Sequence, residues 1–544
     1  MKKTFKNTKI LLILIPLLLI VSACSQSGGT ENQASGANSG EPAEGGDLTY
    51  ALATSPDTLD PHRSSRAVSV RAFRTIFDSL VVQDENNEIQ PWLATEWEIS
   101  EDGKSYTFKL REDVTFHDGT PFNAEAVKYS FDRILDPKTK ALNSTALLAP
   151  YESAEVIDES TVKLNLKTPS ASFLSNLSQA MLGIVSPAAA EKDGEQFGKN
   201  PVGTGPFKFV SWTENAEIIV EKNADYKWAP AYVENQGAPH LDTVTFKIIP
   251  EEATRIGSVQ SGQVLAAETV PPQNIKALEN DSENQLLKIN TLGLPYTLFF
   301  NQREEPWNDV NVRKAVVQAV DVDAIVETLY MGTYDRAWSP LTPGILGYDE
   351  SLENSWETDI EAANKLLDEA GYKVGGDGIR EKDGEKLTLN FVDSSPNREK
   401  RNDIAVIIQQ QLKEAGIAVE VNITPDFMTV IYENSDYDLY GNSQVNSDPD
   451  SLRNIYHTPE KKVLNSLTGG YDERLDELLE QGTAEADPAK REEIYKEAQN
   501  IIIDQAMIIP IYVFPYTVAA SNGVDGIVFD TLGYPLFNDA NVSQ

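Results

Sequence analysis

The sequence predicts a large α/β protein with mixed sheets and flanking helices, and three observations carry that expectation. Short apolar runs recur between stretches whose apolar residues fall at three- and four-residue spacing, the mark of strands alternating with amphipathic helices. One stretch is a complete strand–helix–strand unit, Leu387–Val392, Asp403–Ala415 and Ala418–Ile423, which implies a parallel pair with a right-handed crossover. The chain has 544 residues at 40% hydrophobic content, ample for two or three lobes.

The elements follow in order. Lys2, Lys3, Lys6 and Lys9 precede the apolar run Ile10–Val21, the layout of a secretory signal whose run is too short to span a bilayer stably. The run ends in Val21-Ser22-Ala23-Cys24, which resembles a bacterial lipobox. Residues 1–23 are therefore expected to be a lipoprotein signal peptide, and Cys24 the site of lipid (palmitate) attachment. Cys24 is the chain's one cysteine, so no disulfide forms within a single chain. Ser25–Gly46 is rich in Gly, Ser, Asn and Glu without aliphatic periodicity, and residues 24–46 read as a lipidated, flexible tether.

Beyond the tether, Leu48–Leu52, Ser105–Leu110, Thr161–Leu166 and Thr243–Ile249 read as strands. Helices are expected at Ala124–Leu135, Val312–Leu329, Ile360–Ala370, Asp403–Ala415 and Ala489–Asp504. Asp359 is placed to cap one of them, Gly371 and Gly416 to end two, and Pro488 to open the last. Asp102-Gly103 joins Trp97–Ser100 to Ser105–Leu110 as a tight hairpin. No later apolar run reaches membrane-spanning length; Ile501–Val513 is interrupted by Asp504, Gln505 and Pro510.

A formal charge of −38 argues against nucleic acid or an anionic membrane surface as partner, leaving the lipid as the membrane link. Neither a phosphate loop nor GxSxG, HExxH or a cysteine-dependent arrangement is present. His117 sits in a turn, His117-Asp118-Gly119, with no second ligand nearby in sequence, and reads as a histidine bonding locally. No metal site and no cofactor are expected.

From Ala94 the chain reads ATEWEISEDGKSYTFKLREDVTFHDGTPFNAEAVKYSFDRILDP. Other blocks follow in a consistent order: LDPH at Leu59–His62, NPVGTGPF at Asn200–Phe207, VNVRKA at Val310–Ala315, AANKLLDEAGY at Ala362–Tyr372, and Ile509–Tyr512. Together they closely resemble the oligopeptide/dipeptide/nickel solute-binding proteins, family five, over essentially the whole mature chain. The resemblance implies the two-lobed periplasmic-binding-protein (Venus flytrap) fold of the large three-domain type. Lobe I would be discontinuous, residues 46–293 plus 514–544, and lobe II would be 294–513, with ligand held as the lobes close. It implies a monomeric carrier rather than an enzyme, delivering peptides or a peptide-like solute to the permease and ATPase subunits of an ABC importer at the extracytoplasmic face of the cell membrane.

The same resemblance places ligand contacts. A loop lining the cleft in relatives matches Ser65, Arg66 and Ala67, where Arg66 is a candidate partner for a carboxylate. A second segment, giving main-chain hydrogen bonds to an extended peptide, matches Asn442, Ser443, Gln444, Val445 and Asn446. The acid that holds a peptide α-ammonium falls at Val445, a departure that leaves Asp448 as a substitute. Nickel-binding members carry Asp-Pro-His where this chain has Asp448-Pro449-Asp450, so nickel drops in rank, with His457 a weak stand-in. A metal–chelator complex, an opine or an oligosaccharide is the alternative cargo, with Trp307, Trp338 and Trp356 available for stacking on a sugar. A secreted hydrolase is the remote alternative.

Overall fold

Two large sheets and one smaller one organise the chain. The computed structural model describes residues 43–64, 66–141, 143–395, 397, 399–458 and 469–543. The seven-stranded sheet runs, in spatial order, Asn284–Asn290, Pro515–Ser521, Ala266–Glu268, Asp47–Leu52, Thr243–Ile248, Glu217–Lys222 and Phe207–Thr213. Asp47–Leu52 lies parallel to both neighbours. Leu48, Tyr50, Ala51 and Leu52 are all fully buried, as a strand covered on both faces requires.

The six-stranded sheet orders Asp335–Arg336, Ile508–Val513, Gly293–Phe300, Leu439–Val445, Thr388–Ser394 and Ala418–Thr424. Thr388–Ser394 and Ala418–Thr424 pair in parallel across the helix Arg401–Glu414, the crossover read from the sequence. A four-stranded antiparallel sheet, Ala94–Ile99, Ser105–Leu110, Thr161–Leu166 and Tyr151–Asp158, carries the family-like block. The chain passes between the two large sheets twice, from Asn290 to Gly293 and from Val513 to Pro515. The crossings touch: the Thr291 amide and hydroxyl both donate to the Phe514 carbonyl, at 3.1 and 3.0 Å.

Local chemistry explains most boundaries. The helix Ala124–Leu135 starts where Asn123 accepts the Ala126 amide at 3.1 Å. Asp359 accepts the Ala362 amide at 2.9 Å, and Pro488 opens its helix behind the cap Asp487. The Asp102-Gly103 hairpin forms, with the Gly103 amide donating to the Ser100 carbonyl at 2.8 Å. One helix expectation fails. Val312–Leu329 is not one helix but two, Val310–Ala319 and Val322–Tyr330, because Asp321 caps the second through the Ala324 amide at 2.8 Å.

The recognisable blocks are structural joints. His62 is fully buried: its Nδ1 accepts from Arg133 at 2.8 Å and its Nε2 donates to the Gly183 carbonyl at 3.0 Å. Arg133 also clamps Asp60, at 2.6 and 3.1 Å. A Cβ on Gly203 would lie 2.1 Å from the Ile76 carbonyl oxygen, so glycine there lets two backbones touch. His117 does not bond locally. Its Nε2 donates to the Gly205 carbonyl at 2.9 Å, tying its turn to that glycine loop, and burial lowers its pKa to about 4.

Candidate functional site

A cavity of about 410 Å³ lies between helices and loops of residues 70–181 and 532–534 on one side and the end of the strand Leu439–Val445 with residues 446–483 on the other. That volume falls within the roughly 300–1,000 Å³ of small-molecule sites. Val70, Asn143, Lys167, Gln179 and Tyr534 line one wall; Gln444, Val445, Asn446, Asp448, Arg453 and Thr483 line the other. The walls touch directly. The Ser175 and Ser447 hydroxyls lie 2.8 Å apart, and the Ala171 amide donates to the Thr483 carbonyl at 2.9 Å.

The strand Leu439–Val445 feeds the second wall. It pairs antiparallel with Gly293–Phe300, with Gly293 opposite Val445. Gly293 has φ +131°, and a Cβ there would sit 2.1 Å from the Gln444 carbonyl oxygen, so only glycine permits this approach. On the other edge, the ladder to Thr388–Ser394 covers Leu439 and Tyr440 alone. Residues 441–445 thus present an edge to which no named strand is paired. Such an edge is a template for an extended peptide backbone.

Asp448 is buried and already satisfied. Arg491 grips both its oxygens, at 2.6 and 2.8 Å, and donates a third bond to the Gly482 carbonyl at 2.8 Å. Asp448 also accepts the Asp450 amide at 2.8 Å, capping the short helical turn Pro449–Leu452. Asp450 accepts from the Thr483 hydroxyl at 2.6 Å and the Tyr495 hydroxyl at 3.0 Å. Burial, then the neighbouring Asp448 charge, raises its pKa. Asn446 accepts the Asp448 amide at 2.9 Å and holds the turn into this cluster.

The sequence-derived contacts divide. Gln444, Val445, Asn446 and Asp448 line the cavity. Asn442 and Ser443 lie further back on the strand. The Ser443 hydroxyl accepts from Arg401 at 2.8 Å, and that buried guanidinium also donates to Glu399 at 2.6 Å and lies 4.4 Å over the Tyr296 ring. Arg66 is exposed, and its amide donates to Ser64 Oγ at 3.1 Å. Ala67 begins the helix Ala67–Ile76 half-buried; neither it nor Arg66 lines the cavity, to which that helix sends Val70. Ser65 and Cys24 lie outside the described residues.

Other candidates are accounted for by structure. His457 bonds Glu480 at 3.2 Å, and among the described residues no three His, Cys, Asp or Glu side chains converge on a metal-sized position. Trp307 is fully buried, with its ring centroid 6.1 Å from that of Phe300. Trp338 and Trp356 meet edge-to-face with the Arg336 guanidinium over both rings. Reasoning from sequence missed Lys167, Gln179 and Arg453, which become neighbours of one space only once the chain is folded.

Residues 88–465 match the family described as bacterial extracellular solute-binding proteins, family 5 Middle. The glutathione-binding protein GsiB of Escherichia coli K12 is 29% identical over 507 residues, covering 91% of this chain and 94% of that protein. AgaA of A. tumefaciens R10, solved with agropinic acid, superposes with a TM-score of 0.75 at 30% identity, covering 92% of this chain and 99% of that one. Helicobacter pylori DppA, solved with the peptide STSA, does so with a TM-score of 0.77 at 27% identity, over 92% of this chain and 99% of that one.

Proposed function

This chain belongs to the bacterial extracellular solute-binding proteins, family 5, and from that membership we propose that it captures a small peptide or peptide-like solute in the cavity described above. In this reading residues 46–293 plus 514–544 form one lobe and 294–513 the other, hinged at the paired crossings beside Thr291 and Phe514. Closure traps the solute, and opening hands it to the permease of an ABC importer driven by its ATPase. The protein works as a monomer and carries no catalytic machinery. Cys24 anchors it by lipid to the outer face of the cell membrane, with residues 24–46 as tether.

The observation that carries the peptide reading is the edge of residues 441–445, left by the Thr388–Ser394 ladder at the cavity wall. An extended backbone adds there by main-chain hydrogen bonds, which do not depend on side-chain identity. Val445 offers no charge to an α-ammonium, and Asp448 is committed to Arg491. A buried ammonium without an anionic partner loses its solvation uncompensated, so the amino end of the solute is blocked, absent or near solvent. The DppA and GsiB likenesses support a peptidic cargo. AgaA supports a second reading, an opine-like acid.

Native mass spectrometry of the purified protein, followed by a thermal-shift panel, tests the assignment. Free and N-acetyl peptides should raise the melting temperature by similar amounts, oligosaccharides and nickel–histidine by none. A shift confined to the sugars or the metal complex removes peptide from the reading.

A further inference from the structure

The unmet polar demand of the cavity is for an anion. Its two acids are both occupied, Asp448 by the bidentate Arg491 and Asp450 by the hydroxyls of Thr483 and Tyr495. Its two lining cations, Lys167 on one wall and Arg453 on the other, have no ion-pair partner among the described residues. Arg453 Nε is buried with no hydrogen-bond acceptor. Gln179, 7% exposed, keeps a buried Nε2 without a partner, and Ser451, 2% exposed, a buried hydroxyl without one. All three residues line the cavity, and their orphaned atoms, each buried within its wall, can donate.

A guanidinium at a cavity wall without a counter-charge has donors to offer, and a carboxylate accepts in the plane of its fork. We propose that the cargo is an anionic solute whose carboxylate is taken between Arg453 and Lys167. This rests on the cavity being the binding site and names the charge class that site selects. The two cations come from opposite walls, so the carboxylate is fully held only when the walls meet. In a chain of net charge −38 the general field repels an anion, which makes a local cationic pair necessary for recognition.

The experiment is calorimetric binding of four probes to the intact protein: N-acetyl-trialanine as acid and as amide, and glutathione as free acid and as diethyl ester. The acids should bind about tenfold or more tightly than the amide and the ester. Arg453→Met should collapse that ratio, and Lys167→Met should reduce it. Neither variant should lower the melting temperature of the free protein, since neither side chain loses an ion pair. Equal binding of the acids and of their amide and ester by the unaltered protein overturns the anion assignment while leaving peptide capture standing. An acid preference that survives Arg453→Met overturns the role given to Arg453. Failure of all four probes overturns this proposal together with the peptide reading.

Discussion

The Ser175 and Ser447 hydroxyls, 272 positions apart in sequence, lie 2.8 Å from one another and join the two cavity walls. Both residues are buried, so a bulky side chain at either place has no room while the walls touch. Ser447→Phe should therefore hold the walls apart. Small-angle scattering should show the radius of gyration falling when the unaltered protein is saturated with a binding probe, and a smaller fall in the variant. Identical curves for the unaltered protein with and without saturating probe would rule out closure.

Arg491 and Asp448 form a buried, bidentate pair. Arg491→Met strands a carboxylate in the interior and should cost about 3–5 kcal/mol in chemical denaturation. Asp448→Asn combined with Arg491→Met should cost less than the two single changes summed, because the second change removes the stranded charge. Strict additivity would show that the two side chains are not coupled.

Val445 faces the cavity at the position where relatives are expected to hold an amino terminus. Val445→Asp should create a preference for free over N-acetyl peptides of about tenfold, read by paired titrations. Unchanged ratios would place the amino end elsewhere.

His62 gives the fold a pH dependence of known sign. Burial, reinforced by the adjacent Arg133 charge, lowers its pKa from 6.5 to about 4. The unfolded chain then binds more protons than the native one between those values. Stability from this group is complete above pH 6.5 and is lost as pH falls toward 4. Across that window the unaltered protein should lose about 1.4 kcal/mol per pH unit relative to His62→Gln. Parallel stability profiles for the two would show that His62 titrates normally.

Cys24→Ala should release the protein into the medium or leave it with its leader uncleaved. A variant that stays membrane-bound with a processed amino terminus would exclude lipid attachment at Cys24.

Much of the architecture was legible because its signals are local. Asp359 accepts an amide one turn ahead, Pro488 opens its helix, and the 388–424 unit declares its own parallel pairing. The split at Asp321 was equally local: a capping residue stood inside an apolar period that continued on either side of it. What stayed hidden depends on distant partners. His117 bonds a carbonyl 88 positions away, and Asp448 was offered as a free acid because Arg491, 43 positions on, gives no sign in sequence that it will close over it. Arg453 shows the converse: it lines the cavity with no ion-pair partner among the described residues, which only the folded chain reveals.

The place of Pro515–Ser521 also sets an order of assembly. It lies between Asn284–Asn290 and Ala266–Glu268, and among the described residues Asn284–Asn290 pairs with no other strand. Until the ribosome and the export machinery have passed almost the entire chain, the seven-stranded sheet is missing an inner member. The strands of the six-stranded sheet all come from the continuous stretch 293–513. The six-stranded sheet can thus pair its strands while the seven-stranded sheet still lacks its seam. A cut before residue 515 removes the seam of the first sheet rather than a dispensable tail.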